Sequence, residues 1–186
     1  MTEVTPPFVE LDELIALFYE KQSLLGDFEK LERGACPEPY ADLLEHEAHM
    51  TVTVESRHEC PVSVEVLESR REQDHYLRKI LLRRVSDGRV VQFGIVRLAI
   101  SALKPDVLSE IMAQETPLGR VLIKHNVLRK VHLSAVWRVQ CSDGLLNQFE
   151  LESSARPTTY GRTALIFCDG EPAVELLEIV APDDSF

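Results

Sequence analysis

His75-Tyr76-Leu77-Arg78-Lys79-Ile80-Leu81-Leu82-Arg83-Arg84, then Ser86-Asp87-Gly88, then Arg89-Val90-Val91-Gln92-Phe93-Gly94-Ile95-Val96-Arg97-Leu98-Ala99-Ile100, is the stretch that decides the fold. Two long apolar-rich runs of strand character flank an Asp-Gly pair, and Asp-Gly supplies the positive φ that a tight hairpin turn demands. Two antiparallel neighbours are therefore expected at the middle of the chain.

The pattern repeats outward. Towards the C-terminus Val131 to Cys141 alternates, and Arg162 to Cys168 with Pro172 to Pro182 reads as a hairpin across Asp169-Gly170. The polar stretch Ser153 to Tyr160 before it reads as a loop, and Ser153-Ser154, without a Gly-x-Ser-x-Gly elbow, gives no support to a hydrolase triad. Upstream, Thr51 to Glu55 and Val62 to Leu67 read as a further hairpin around Glu59-Cys60-Pro61. Helical spacing marks Glu10 to Gln22 and, after Pro39, Tyr40 to about His49. Ser101 is placed to cap a helix through Met112, and Thr116-Pro117 opens another through Ile123. Strands arrive as adjacent hairpins rather than alternating singly with helices. The fold class expected is α+β, a central antiparallel sheet with helices packed on it, in one domain over 1–186.

Composition narrows the function. Twenty Lys plus Arg against thirty-one Asp plus Glu give a net charge of -11, which repels a phosphate backbone, so no nucleic-acid partner is expected. No apolar run reaches the ~18 residues of a membrane span, and the Met1-Thr-Glu-Val start has no signal-peptide pattern, so no membrane association and a cytoplasmic location are expected. The acidic surface and lack of a long apolar heptad fit a monomer. Cysteines 36, 60, 141 and 168 are scattered and read as reduced thiols. His46 and His49 stand three apart, but no Asp, Glu or Cys cluster completes a metal set, so surface or capping roles and no metal are expected.

Side chains on a strand alternate between its faces. Tyr76, Arg78, Ile80 and Leu82 share one face, as do Val174, Leu176, Glu178 and Val180. A guanidinium or carboxylate among aliphatic neighbours costs several kcal/mol to bury alone and must meet a partner, a ligand or water. Two readings stay open: Arg78 and Glu178 form one structural ion pair or sit on wet faces, or they serve a ligand.

Taken together, Leu43-Leu44-Glu45 with His49-Met50-Thr51 and Glu55, Tyr76-Leu77-Arg78-Lys79-Ile80-Leu81-Leu82, Thr116-Pro117-Leu118-Gly119-Arg120-Val121-Leu122, and Gly170-x-Pro172 leading to Glu178 resemble the chorismate pyruvate-lyase (4-hydroxybenzoate synthase) family, in order, over about residues 40 to 182. The first 30 residues lie outside the resemblance and read as an N-terminal helical extension. Two positions depart from the family pattern: Ile95 stands where some members carry Arg, and Tyr160-Gly161-Arg162-Thr163 has a single Arg, leaving Arg162 or Arg97 to compensate.

The resemblance implies helical flaps over an internal pocket and a carbon-oxygen lyase of ubiquinone biosynthesis that eliminates pyruvate from chorismate to give 4-hydroxybenzoate without metal or organic cofactor. Residue by residue, it implies that Arg78 and the Leu118 amide hold a substrate carboxylate, that Met50 lines the pocket near the ring hydroxyl, and that Glu178 is the acid-base group, with Arg78 and Glu178 catalytic. The main alternative keeps the fold and drops the reaction: a non-catalytic domain binding a phenolic or aromatic acid, related to repressor effector-binding domains. The sequence shows no basic winged helix-turn-helix ahead of the shared part and keeps Arg78 and Glu178, which favours the enzyme. Action on a different cyclohexadienyl acid, and a purely structural module, rank below these.

Overall fold

The computed structural model describes residues 8–127, 129–152 and 156–182; Ser153 and Ser154, and the first four residues, lie outside them. One sheet of seven strands organises the chain. In sequence order the strands are β1 (Gly26–Lys30), β2 (Val62–Glu72), β3 (His75–Arg84), β4 (Val90–Ala99), β5 (Arg129–Cys141), β6 (Thr158–Cys168) and β7 (Glu171–Val180). Their spatial order is β1-β5-β6-β7-β4-β3-β2, and every pairing is antiparallel. The α+β class is thus the observed one. Gly88 takes φ 74° in the expected turn, and Asp169 and Gly170 are both at positive φ in the last hairpin.

Among the described residues six α-helices cover the sheet: α1 (Leu11–Ala16), α2 (Tyr40–Leu44), α3 (Met50–His58), α4 (Pro105–Met112), α5 (Leu118–Lys124) and α6 (Asp143–Gln148). On one face, Leu11, Leu14 and Ile15 of α1 and Leu145 and Leu146 of α6 pack on Phe93, Ile95, Leu165, Leu177 and Ile179. The other face carries two separate apolar clusters. Leu43, Leu44, Met50 and Val54 of α2 and α3 sit on Ile80, Leu82 and Val180. Val107, Ile111, Leu118, Val121 and Leu122 of α4 and α5 sit on Tyr76, Val96, Ile166, Val174 and Leu176. Two helical lids therefore stand side by side on one sheet face.

Several local expectations are corrected. Thr51 to Glu55 is not a strand but the first half of α3. Its β-branched run Thr51-Val52-Thr53-Val54 mimics a strand, yet Met50, Thr51 and Val54, at helical spacing, are the residues buried, and the helix ends where Glu59 turns left-handed at φ 48°. The helix expected from Ser101 begins at Pro105; the Ser101 hydroxyl instead donates to Asp74 at 2.6 Å. The first helix stops at Ala16, and a strand, β1, follows from Gly26, whose Cα hydrogen faces the Gln140 carbonyl so closely that a Cβ would lie 2.3 Å from that oxygen. Within residues 8–30, α1 packs in the core and β1 pairs with β5. All four cysteines are free.

Candidate functional site

Where the two lids meet the sheet they leave a cavity, lined from the floor by Arg78, Ile80 and Leu82 of β3, Gln92, Gly94 and Val96 of β4 and Leu176 and Glu178 of β7, and from the lids by His49, Met50, Leu118 and Gly119. Arg78, Met50, Leu118 and Glu178 are accordingly brought to one place. The parity argument explains the floor: Arg78 faces Val96 across β3–β4, Val96 faces Leu176 across β4–β7, and Gly94 faces both Ile80 and Glu178. Met50 and Leu118 arrive as the first residues of α3 and α5. Free space among these atoms is about 40 Å³ at the centre of a water-sized sphere, room for a few waters, so a ring-sized ligand requires the lids to part.

Glu178 and Arg78 do not pair with each other. The Glu178 carboxylate accepts from Arg162 Nε at 2.8 Å, and the rest of that guanidinium is also engaged: Nη1 donates to the His46 carbonyl at 2.9 Å and Nη2 to the Ala48 carbonyl at 3.1 Å. Arg162 is 1% exposed. This pair ties β6 and β7 to the segment between α2 and α3. His46 is fixed in the same network, its Nδ1 accepting from the Ala48 amide at 3.0 Å and its Nε2 lying 2.7 Å from the Leu43 carbonyl, the arrangement of a neutral ring. Burial, then the Arg162 charge, lowers its pKa. Of the two candidate compensating cations, Arg162 reaches the cavity, whereas Arg97 lies on the opposite face and pairs with Glu175.

Arg78 is the contrasting case. It is 1% exposed, and its Nε and Nη1 have no hydrogen-bond partner among the described protein groups. Burial lowers its pKa. His49 Nε2 and Gln92 Oε1 are likewise buried without partners on the same lining. Of the surface or capping roles expected for His49, the surface one is corrected: the residue is the N-cap of α3, without a side-chain cap bond, and is buried. It stands at the N-terminal end of α3, 8% exposed, wedged against α5 so that a Cβ on Gly119 would come 3.1 Å from its own Cβ. Burial first, then Arg129 and Arg162, lower its pKa to about 4. Sequence reasoning missed Gln92 and His49 as cavity residues; the parity of Gln92 with Gly94 and Val96 was the available signal for the former.

Between the lid helices, Arg120 of α5 pairs with Glu55 of α3, while His125 Nε2 lies 2.6 Å from Glu110, linking α5 to α4. Among the described residues no group of three or more His, Cys, Asp or Glu is placed to hold a metal ion, and no helix is long and apolar enough to cross a membrane.

No protein-family model matches the sequence. No curated protein is similar to it in sequence. Solved structures share the fold: PhnF from Mycobacterium smegmatis (TM-score 0.52, 8% identity, covering 74% of this chain and 64% of PhnF), the C-terminal domain of the histidine utilization repressor from Pseudomonas syringae (0.45, 8%, 67% and 94%), and a GntR-family transcriptional regulator from Bacillus cereus (0.45, 10%, 67% and 94%). The likeness thus spans less than two thirds of PhnF. The family resemblance read from the sequence holds at the level of the fold. The lyase expectation, with chorismate as substrate, 4-hydroxybenzoate and pyruvate as products and a place in ubiquinone biosynthesis, is corrected: the likeness to PhnF, at a TM-score of 0.52, brings the fold and no lyase with it. The Glu178 carboxylate, which the resemblance cast as the acid-base group, accepts a hydrogen bond from Arg162.

Proposed function

We propose that this domain is a non-catalytic sensor that binds a small organic acid of the phenolic or aromatic kind in the cavity under its two lids. The observation that carries the reading is Arg78, a fully buried guanidinium with two nitrogen donors unpartnered. An isolated buried charge costs several kcal/mol, and a fold keeps one where a counter-charge arrives from outside. A carboxylate accepts two parallel N–H bonds from a guanidinium in a single plane. Ile80, Val96, Leu118 and Leu176 supply the apolar walls that suit a ring, and Met50 and Leu118 close it from the lid side.

Glu178 then serves structure rather than chemistry. With Arg162 it anchors the segment preceding α3 to the sheet, so that ligand contact on the floor and lid position are linked through one ion pair. The Arg120–Glu55 pair between α5 and α3 adds little against opening, since it is half exposed on its Arg side and such pairs contribute about 1 kcal/mol or less. The repressor and regulator names attached to similar folds support sensing over turnover. They also narrow the expectation about nucleic acid to the sheet itself: an acidic domain of this kind would leave DNA contact to other segments of a regulator.

The test is calorimetric titration of the protein with 4-hydroxybenzoate and benzoate, beside Arg78→Met. Saturable one-to-one binding that the substitution abolishes is expected. Undiminished binding by Arg78→Met would overturn the proposal.

A further inference from the structure

The second buried polar group on the cavity floor has no role in holding an anion. Gln92 is 2% exposed on β4, facing Val180 of β7 and Leu82 of β3. Its Nε2 lies 3.5 Å from Glu178 Oε1, a long contact, and its Oε1 has no partner. The ion pair decides which way the amide faces. Glu178, paired with Arg162, accepts only, so the NH2 group of Gln92 must turn to it and the carbonyl oxygen is left over. An unmatched amide oxygen inside an aliphatic face is unfavourable, and a Leu or Val there would pack as its neighbours do.

Its place relative to Arg78 is informative. Arg78 faces Val96, and Gln92 is four residues from Val96 on the same strand and the same face, so the two rows of Cα atoms stand ~13 Å apart. Between them lies Gly94, whose backbone needs no positive φ and where a Cβ would crowd the Ile80 side chain at 3.3 Å. A bare backbone at that point leaves a flat floor, flanked by the guanidinium at one end and an unmatched acceptor at the other.

We propose that Gln92 is the specificity-determining residue of the cavity: its Oε1 accepts a hydrogen bond from a hydroxyl or amino group on the ligand end remote from Arg78, so the site prefers a singly charged, donor-bearing ring acid. This rests on the carboxylate reading of Arg78. A second carboxylate in place of the donor would face Gln92 Oε1 and Glu178, where the Arg162 guanidinium is already engaged. An acid with nothing at that end would leave the amide oxygen unmatched and dry.

Three probes separate these cases: benzoate, 4-hydroxybenzoate and terephthalate, titrated into the wild-type chain, Gln92→Met and Arg78→Met. In the wild type, 4-hydroxybenzoate should bind about tenfold more tightly than benzoate, and terephthalate more weakly than either. Gln92→Met should bind benzoate within about twofold of wild type, which also reports that it is folded, and should lose the hydroxyl advantage. Equal wild-type affinities for the two monoacids, or an advantage that survives in Gln92→Met, overturns the role of Gln92 while leaving Arg78 as the anion contact. If neither monoacid binds the wild type, the carboxylate reading falls and this inference falls with it.

Discussion

Replacing Arg78 by Met should make the protein more stable while removing its ligand. The guanidinium is 1% exposed, with Nε and Nη1 unpartnered and Ile80, Leu82, Val96 and Leu176 on the same lining. Each buried donor left unmatched costs about 1–3 kcal/mol, and exchanging buried charge for an apolar side chain of similar length is neutral to stabilising by about 1–4 kcal/mol. Methionine is shorter than arginine by part of its head group. Enlarging the cavity returns ~24 cal/mol per Å³, on the order of 1 kcal/mol. A net gain of about 2 kcal/mol remains, which for a chain of this size raises Tm by roughly 4–8 °C. Urea unfolding at pH 7 without ligand should show a higher midpoint at unchanged slope. Adding 4-hydroxybenzoate to a hundred times its dissociation constant should then stabilise the wild type by about 2.7 kcal/mol and the variant by nothing. A variant that loses 2 kcal/mol or more in the ligand-free state would refute the reasoning, because Arg78 would then be compensated within the fold.

Glu178→Gln should act in the opposite sense. It strips the counter-charge from Arg162, itself 1% exposed, and leaves that guanidinium only backbone carbonyls and a neutral amide; a loss of about 3–5 kcal/mol in urea unfolding is expected, and a loss under 1 kcal/mol would contradict the anchoring role. The His49 ring should make stability depend on pH. Its folded pKa of about 4 lies below its ordinary value of 6.5, so the unfolded chain binds the extra proton first: this contribution is complete above pH 6.5 and is lost as pH falls towards 4. The loss is on the order of 3 kcal/mol. His49→Gln should flatten unfolding midpoints measured between pH 7 and 4.5, and an unchanged slope would place the titration elsewhere.

The sheet was legible where the chain speaks locally. Asp87-Gly88 and Asp169-Gly170 announced their hairpins, and strand parity put Arg78 and Glu178 on core faces. The helix α3 was not legible, since Thr51-Val52-Thr53-Val54 has strand propensity and only packing of Met50 and Val54 under the lid overrides it. The partners of the buried charges were hidden for a different reason: which carboxylate meets which guanidinium depends on strand order, and Glu178 meets Arg162 because β6 and β7 are neighbours while two strand boundaries separate β7 from β3. Four short motifs located the cavity, but the hydrogen-bond partner of Glu178, Arg162, stands on a neighbouring strand that those motifs do not contain.

The strand order has a consequence for how the molecule is made. Strands β2, β3 and β4 follow one another as one meander and β5, β6 and β7 as a second, and the two join only along β4 and β7. Arg78 and Gln92 belong to the first and Arg162 and Glu178 to the second, so neither half owns a binding site. The pair that joins them, β4 and β7, brings together residues some eighty positions apart, so loop-closure entropy and chain topology make the join slower than the β2–β3, β3–β4 and β6–β7 hairpins. An acid lodged in the cavity, as proposed, would act as a rivet across the join and retard separation of the halves, the rate that sets the working lifetime of the folded chain.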